Sequence, residues 1–231
     1  MTTVTTKRTL HVSVREARMS VDRILLTCGL PSGSVHASRE CVLLSQSLGL
    51  GGFRALLEGH AAISMDGFES IRATDAEDGS LVFDGAGLHA WVILPTLVDL
   101  AVDAARRRGN ADASVVSVSH AEELGVATGL AKRYGSEIEI SQNRLKARNS
   151  SCPRSAAQWD PLLFDAMMNG YDVEEKLWRA VHALSNAALA GDSVVSRRHA
   201  GPVILQDDGS IRGRLPQDDD FDMNMLKKVT P

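Results

Sequence analysis

The sequence predicts an α/β protein: an N-terminal helical segment followed by a mixed sheet with flanking helices. Two observations carry this. Apolar residues recur at helical spacing through residues 13–64. Further on, the β-branched segment ASVVSVS (113–119), the amphipathic run AEELGVATGLAKRYG and the segment SEIEIS (136–141) read as strand, helix and strand.

The elements follow in order. Residues 1–12 read as a loose arm. Ser13, with Glu16 three residues on, forms a capping box that opens a helix; Val14, Ala17, Val21, Ile24, Leu25 and Cys28 share its inner face, and Gly29 stops it. A second helix runs from about residue 34 to 48, Gly49, Gly51 and Gly52 break it, and a short third helix carries Phe53, Leu56, Leu57 and Ala61. Short strands are expected at 70–72 and 80–83, and a helix from Trp91 or Pro95 to Arg108, where Arg106, Arg107 and Arg108 oppose the helix dipole. The polar stretch 142–160 reads as a loop or linker. A short helix is expected at 161–169, then a long one capped by Asp172 and Glu175, and a last strand near 202–205. The expected organisation is therefore an arm and helical segment (1–64), an α/β core (65–206) and a mobile acidic tail (207–231).

Composition narrows the function. A net charge of -4 gives no global attraction to nucleic acid or anionic membrane, and 4% aromatic residues make a base-stacking platform hard to build. The N-terminus lacks an apolar signal core, and no run approaches the roughly 20 apolar residues of a membrane span, so a cytoplasmic location is expected. Cys28, Cys41 and Cys152 have no CxxC spacing, and Cys28 and Cys41, on apolar helical faces, read as buried thiols rather than metal or redox sites. The histidines share no metal-ligand spacing, so no metal is expected. P-loop, GxGxxG, GxSxG and HExxH motifs are absent.

Several residues remain as candidates for chemistry. His120 falls where the first core strand hands over to a helix, and there it either meets a substrate or merely caps the helix. Glu122 and Glu123 in the same turn would repel an anion. Arg54 either clamps a carboxylate or is a salt-bridged surface residue. Arg197, Arg198 and His199 either hold an anion or line an interface. Asn143, Arg144, Lys146 and Arg148 form a basic loop at a plausible ligand edge.

Over residues 13–143 the order of pieces resembles the type-2 malate/L-lactate dehydrogenase family, which includes sulfolactate and ureidoglycolate dehydrogenases and cyclic-imine reductases. The resemblance lies in CGLPSGSVHASRECVLLSQSLGL, in DGSLVFDGAGLHAWVILPTLVDLAVDAARRRG, in VVSVSHAEELGVATGLAKRYG with its strand ending in Ser119-His120, and in SEIEISQN. It implies the family's own cofactor-binding fold rather than a Rossmann fold. It further implies an NAD(P)-linked oxidoreductase acting on a small 2-oxo acid or cyclic imino acid, and a homodimer. In that frame Arg54 and His120 are the catalytic candidates and Ser119, Asn143 and Arg144 the cofactor-binding ones. The chain departs from the family: GLGGFR stands where a Ser-His-Gly motif is usual, no Thr-Asn-Pro motif occurs, and the chain is shorter. A non-redox descendant, acting as a small-molecule-binding or partner protein, is the alternative. The C-terminal half, VEEKLWRAVHALSNAALAGDSVVSRRHAG, is also similar to an uncharacterised bacterial domain family of comparable length.

Overall fold

The computed structural model describes residues 8–150, 155–189, 203–205, 208 and 211–213. The chain forms two units, Met1–Ala188 and Leu189–Pro231. The first is an α/β unit in which helices pack on a mixed five-stranded sheet.

Strand β1 (Thr9–Val12) precedes α1 (Val14–Thr27), whose N-cap Ser13 accepts a hydrogen bond from the Glu16 amide at 3.2 Å, as the capping-box spacing predicts. The segment expected as a loose arm is thus tied down in part. Helix α2 (Ser32–Ser47) is followed by α3 (Gly52–Gly59), and their approach requires a glycine. A Cβ on Gly52 would meet the Val42 carbonyl oxygen and lie 2.8 Å from the Gln46 nitrogen.

Strands β2 (Arg72–Asp75) and β3 (Leu81–Asp84) form an antiparallel hairpin, and α4 (Ala90–Arg108) leads to β4 (Asn110–Val116). Because β3 and β4 are parallel neighbours, the crossover through α4 is the βαβ unit of this protein. Pro95 lies inside α4 and has no N–H for the Trp91 carbonyl. The Ser38 hydroxyl of α2 donates to that carbonyl instead, at 3.4 Å.

After β4 come a 3-10 segment (Ala121–Val126), α5 (Ala127–Lys132), β5 (Ser136–Ser141) and β6 (Arg144–Asn149). The sheet order is β2-β3-β4-β6-β5. One expectation is corrected here. The basic stretch after Asn143 is a strand, not a loop, and it lies between β4 and β5, antiparallel to both, so the two strands flanking α5 are not neighbours. Leu145 and Ala147 of β6 are buried under helices, whereas Arg144, Lys146 and Arg148 alternate onto the exposed face.

Helices α6 (Ala156–Trp159) and α7 (Pro161–Asn169) lead to β7 (Tyr171–Glu174) and α8 (Glu175–Asn186). Asp172 is therefore a strand residue rather than a cap: β7 pairs with β1, and Asp172 meets the His11 ring at 3.1 Å. Helix α8 packs against α1 and α3, where Phe53 contacts Tyr171 edge-on (5.5 Å) and Trp178 (5.4 Å). In the second unit, β8 (Val203–Leu205) pairs antiparallel with β9 (Ile211–Gly213), which falls within the expected tail.

Candidate ligand-binding cleft

Strands β3 and β4 end at the same edge of the sheet, and their following loops stay paired. The Ser119 amide donates to the Leu88 carbonyl (2.9 Å), and the Ser119 carbonyl accepts from the Ala90 amide (3.0 Å). This pairing sets His89, the N-cap of α4, beside His120, which precedes the 3-10 segment. The two imidazoles stack with centroids 4.5 Å apart at an interplanar angle of 26°. His120 has φ 55° and ψ 50°, in the left-handed region that side-chain-bearing residues enter at a cost of about 1–3 kcal/mol.

Gly59 also lies against the His120 ring. A Cβ there would lie 3.0 Å from Cε1 and 3.3 Å from Nε2 of the imidazole, so with any larger residue the ring would have to shift by a few tenths of an ångström. His120 Nδ1 is 3.2 Å from Glu122 Oε1.

Beneath the stack is a buried polar group. The Trp91 amide donates to His89 Nδ1 (3.1 Å), which leaves the ring proton on a buried, unpartnered Nε2. Burial, reinforced by the neighbouring His120, pulls the His89 pKa down to about 3, so the ring is neutral at physiological pH. The Trp91 indole N–H donates to Glu123 Oε2 at 2.9 Å, and burial pushes the Glu123 carboxyl above its ordinary range.

An open cleft of about 520 Å³ lies next to this edge. Leu48 and Leu50 come from the glycine-rich break, Ala121, Glu122, Gly125 and Thr128 from the 3-10 segment and α5, and Ile140, Gln142 and Asn143 from the end of β5 and its turn. The turn lies at the C-terminal end of β4, because the Asn143 carbonyl accepts from the Val115 amide at 2.8 Å. The cleft therefore occupies the strand-end position where α/β sheets bind ligands.

The sequence candidates distribute unevenly around it. Asn143 lines the cleft; Arg144 begins β6 on the exposed sheet face; Ser119 acts through its backbone. The His120 imidazole, about one-third exposed, is not among the lining side chains and reaches the cleft through Glu122. Arg54 is exposed on α3, 3.8 Å from Glu58, and does not line the cleft. Arg197, Arg198, His199 and Cys152 lie outside the described residues. His89 and Gly59 were missed by sequence reasoning, and only the placement of His89 between a turn and a helix hinted at a cap; Glu123 was read as a charge of the turn, not as the buried partner of Trp91. Among the described residues no cluster of His, Cys, Asp and Glu could hold a metal, and no helix is long and apolar enough to cross a membrane.

No family profile matches the chain, and no curated protein does. Solved structures similar to it include malate dehydrogenase from Pyrococcus horikoshii OT3, at 14% identity and a TM-score of 0.41, over 63% of this chain and 49% of that one. Malate dehydrogenase from Entamoeba histolytica is similar at 13% identity and a TM-score of 0.43, over 82% and 72% of the two chains. Sulfolactate dehydrogenase from Methanocaldococcus jannaschii is similar at 14% and 0.38, over 55% and 38%. The match thus spans about half of the first enzyme's length.

Proposed function

We propose that this chain binds a small organic molecule in the cleft at the ends of β4 and β5, with Glu122 as its polar anchor and His120 holding that anchor in place. The lining carries the reading: apolar Leu48, Leu50 and Ile140 beside the polar groups of Glu122, Thr128, Gln142 and Asn143. A few polar groups on an apolar wall fix a ligand's orientation while the wall supplies burial.

The NAD(P) implied by the sequence resemblance meets this cleft poorly. The apolar wall and the two amides suit a nicotinamide ring and its carboxamide. The doubly charged pyrophosphate calls for countercharge, and none of the nine lining residues is Lys or Arg, while Glu122 carries a carboxylate. The lining does not fit an intact dinucleotide. We therefore place the non-redox binding protein first.

The second reading is an NAD(P)-linked oxidoreductase acting on a 2-oxo acid or cyclic imino acid. It is favoured by one observation, a partly exposed imidazole at the sheet edge beside a cleft. It requires phosphate-holding groups from outside the lining. Calorimetric titration with NADH and NADPH separates the two: no saturable binding at millimolar concentration supports the first reading, and saturable binding of either nucleotide supports the second.

A cytoplasmic location and a homodimer belong to the same proposal. The free thiols of Cys28 and Cys41 support the former. The exposed Trp159, Phe164, Met167 and Met168 support the latter, which sedimentation velocity tests.

A further inference from the structure

We infer that the cleft selects a small organic cation, an ammonium on an apolar body, over a carboxylate or a phosphate; the inference rests on the cleft being a ligand site. The charge inventory of the lining is the argument. Glu122 is the one ionisable side chain among the nine lining residues. Its Oε1 faces His120 Nδ1, and its Oε2 makes no hydrogen bond among the described residues, so one carboxylate oxygen is left to accept from a ligand N–H. Gln142 and Asn143 add side-chain amides on the facing turn, each able to offer its oxygen to a ligand N–H and neither carrying a charge. The Thr128 hydroxyl already donates to the Gly125 carbonyl at 2.9 Å, so toward a ligand it presents lone pairs.

Of the groups around the cleft, His120 meets Glu122 through Nδ1 at 3.2 Å, and this pairing competes with a ligand cation whenever the ring is protonated, so the titration is run above about pH 7.5. His89 is neutral, and burial favours the neutral form of Glu123. Arg144, next to the turn, alternates onto the exposed sheet face. A ligand ammonium thus finds a carboxylate and acceptor oxygens around an apolar wall. A ligand carboxylate finds the same carboxylate and no side-chain cation.

Three probes of one shape test this: benzylamine, benzyl alcohol and benzoate, titrated into the ¹⁵N-labelled full chain while the amides of Ala121, Glu122, Gly125, Thr128 and Asn143 are followed. The expected order of affinity is amine, alcohol, benzoate. The amine's lead over the alcohol should be about two- to five-fold, as for an exposed ion pair, and should shrink with added salt. Glu122→Gln, an exposed and conservative change, should bring amine and alcohol level. Benzoate binding as tightly as benzylamine, or an amine preference that survives Glu122→Gln, overturns the cation inference and leaves the ligand site standing. If no probe moves the cleft amides, both fall.

Discussion

The imidazole of His120 lies over that of His89 at a centroid separation of 4.5 Å, with Gly59 closely against it. The contact links the ends of two parallel strands, so the ring that meets Glu122 is set by residues from three separate elements.

Gly59→Ala should make the His120 ring give way by a few tenths of an ångström, because the backbone at Gly59 (φ −110°) tolerates a side chain and the contact with the ring alone decides the outcome. Overpacking of this kind costs about 1–3 kcal/mol. Pairing it with His120→Ala should recover most of that loss in a denaturant double-mutant cycle. Additive losses would mean that Gly59 serves something other than the ring.

The His89 ring makes stability depend on pH. Its native pKa is depressed from 6.5 to about 3, so below 6.5 the unfolded chain binds a proton that the native state does not. Stability contributed above 6.5 is lost as the pH falls toward 3, at up to about 1.4 kcal/mol per pH unit. His89→Asn keeps a cap acceptor for the Trp91 amide and should flatten this acid limb by one proton in urea titrations run from pH 7 to 4. An unchanged slope would refute the assignment.

Glu123 works in the opposite sense. Its raised native pKa means that the unfolded carboxyl ionises first as the pH climbs past 4.5, which draws stability from the native state until the native pKa is passed. Glu123→Gln retains an acceptor for the Trp91 indole and should gain on the parent chain as pH rises above 4.5. Trp91→Phe strips the buried carboxyl of that donor and should cost about 1–3 kcal/mol.

Gly52→Ala tests the packing that places the glycine-rich break beside the cleft. Its Cβ would press on the backbone of α2 rather than on a side chain able to move, so the loss in thermal stability should reach at least about 1–3 kcal/mol. A neutral result would show that α2 and α3 shift apart readily.

Regular periodicity made much of the fold legible. Ser13 with Glu16, and the apolar face from Val14 to Leu25, specify α1 almost to the residue. Strand β6 was hidden because its exposed face is Arg144, Lys146 and Arg148, and only Leu145 and Ala147 mark the alternation. Strand β7 was hidden because Asp172 and Glu175 satisfy a capping pattern that the pairing with β1 overrides. The cleft joins Leu48 and Leu50 to Glu122 and to Asn143, and no local pattern encodes contacts over such separations. His120 was found from its strand-end position, but its direction was set by His89 and Gly59, which the sequence does not link to it.

The central claim is that the cleft at the ends of β4 and β5 is where this chain holds a ligand. The most direct measurement is amide chemical-shift mapping of the full chain against a library of small amines, alcohols and acids. The account predicts saturable shifts concentrated on Ala121, Glu122, Gly125, Thr128 and Asn143. Shifts absent from these residues, or clustered elsewhere, would contradict it.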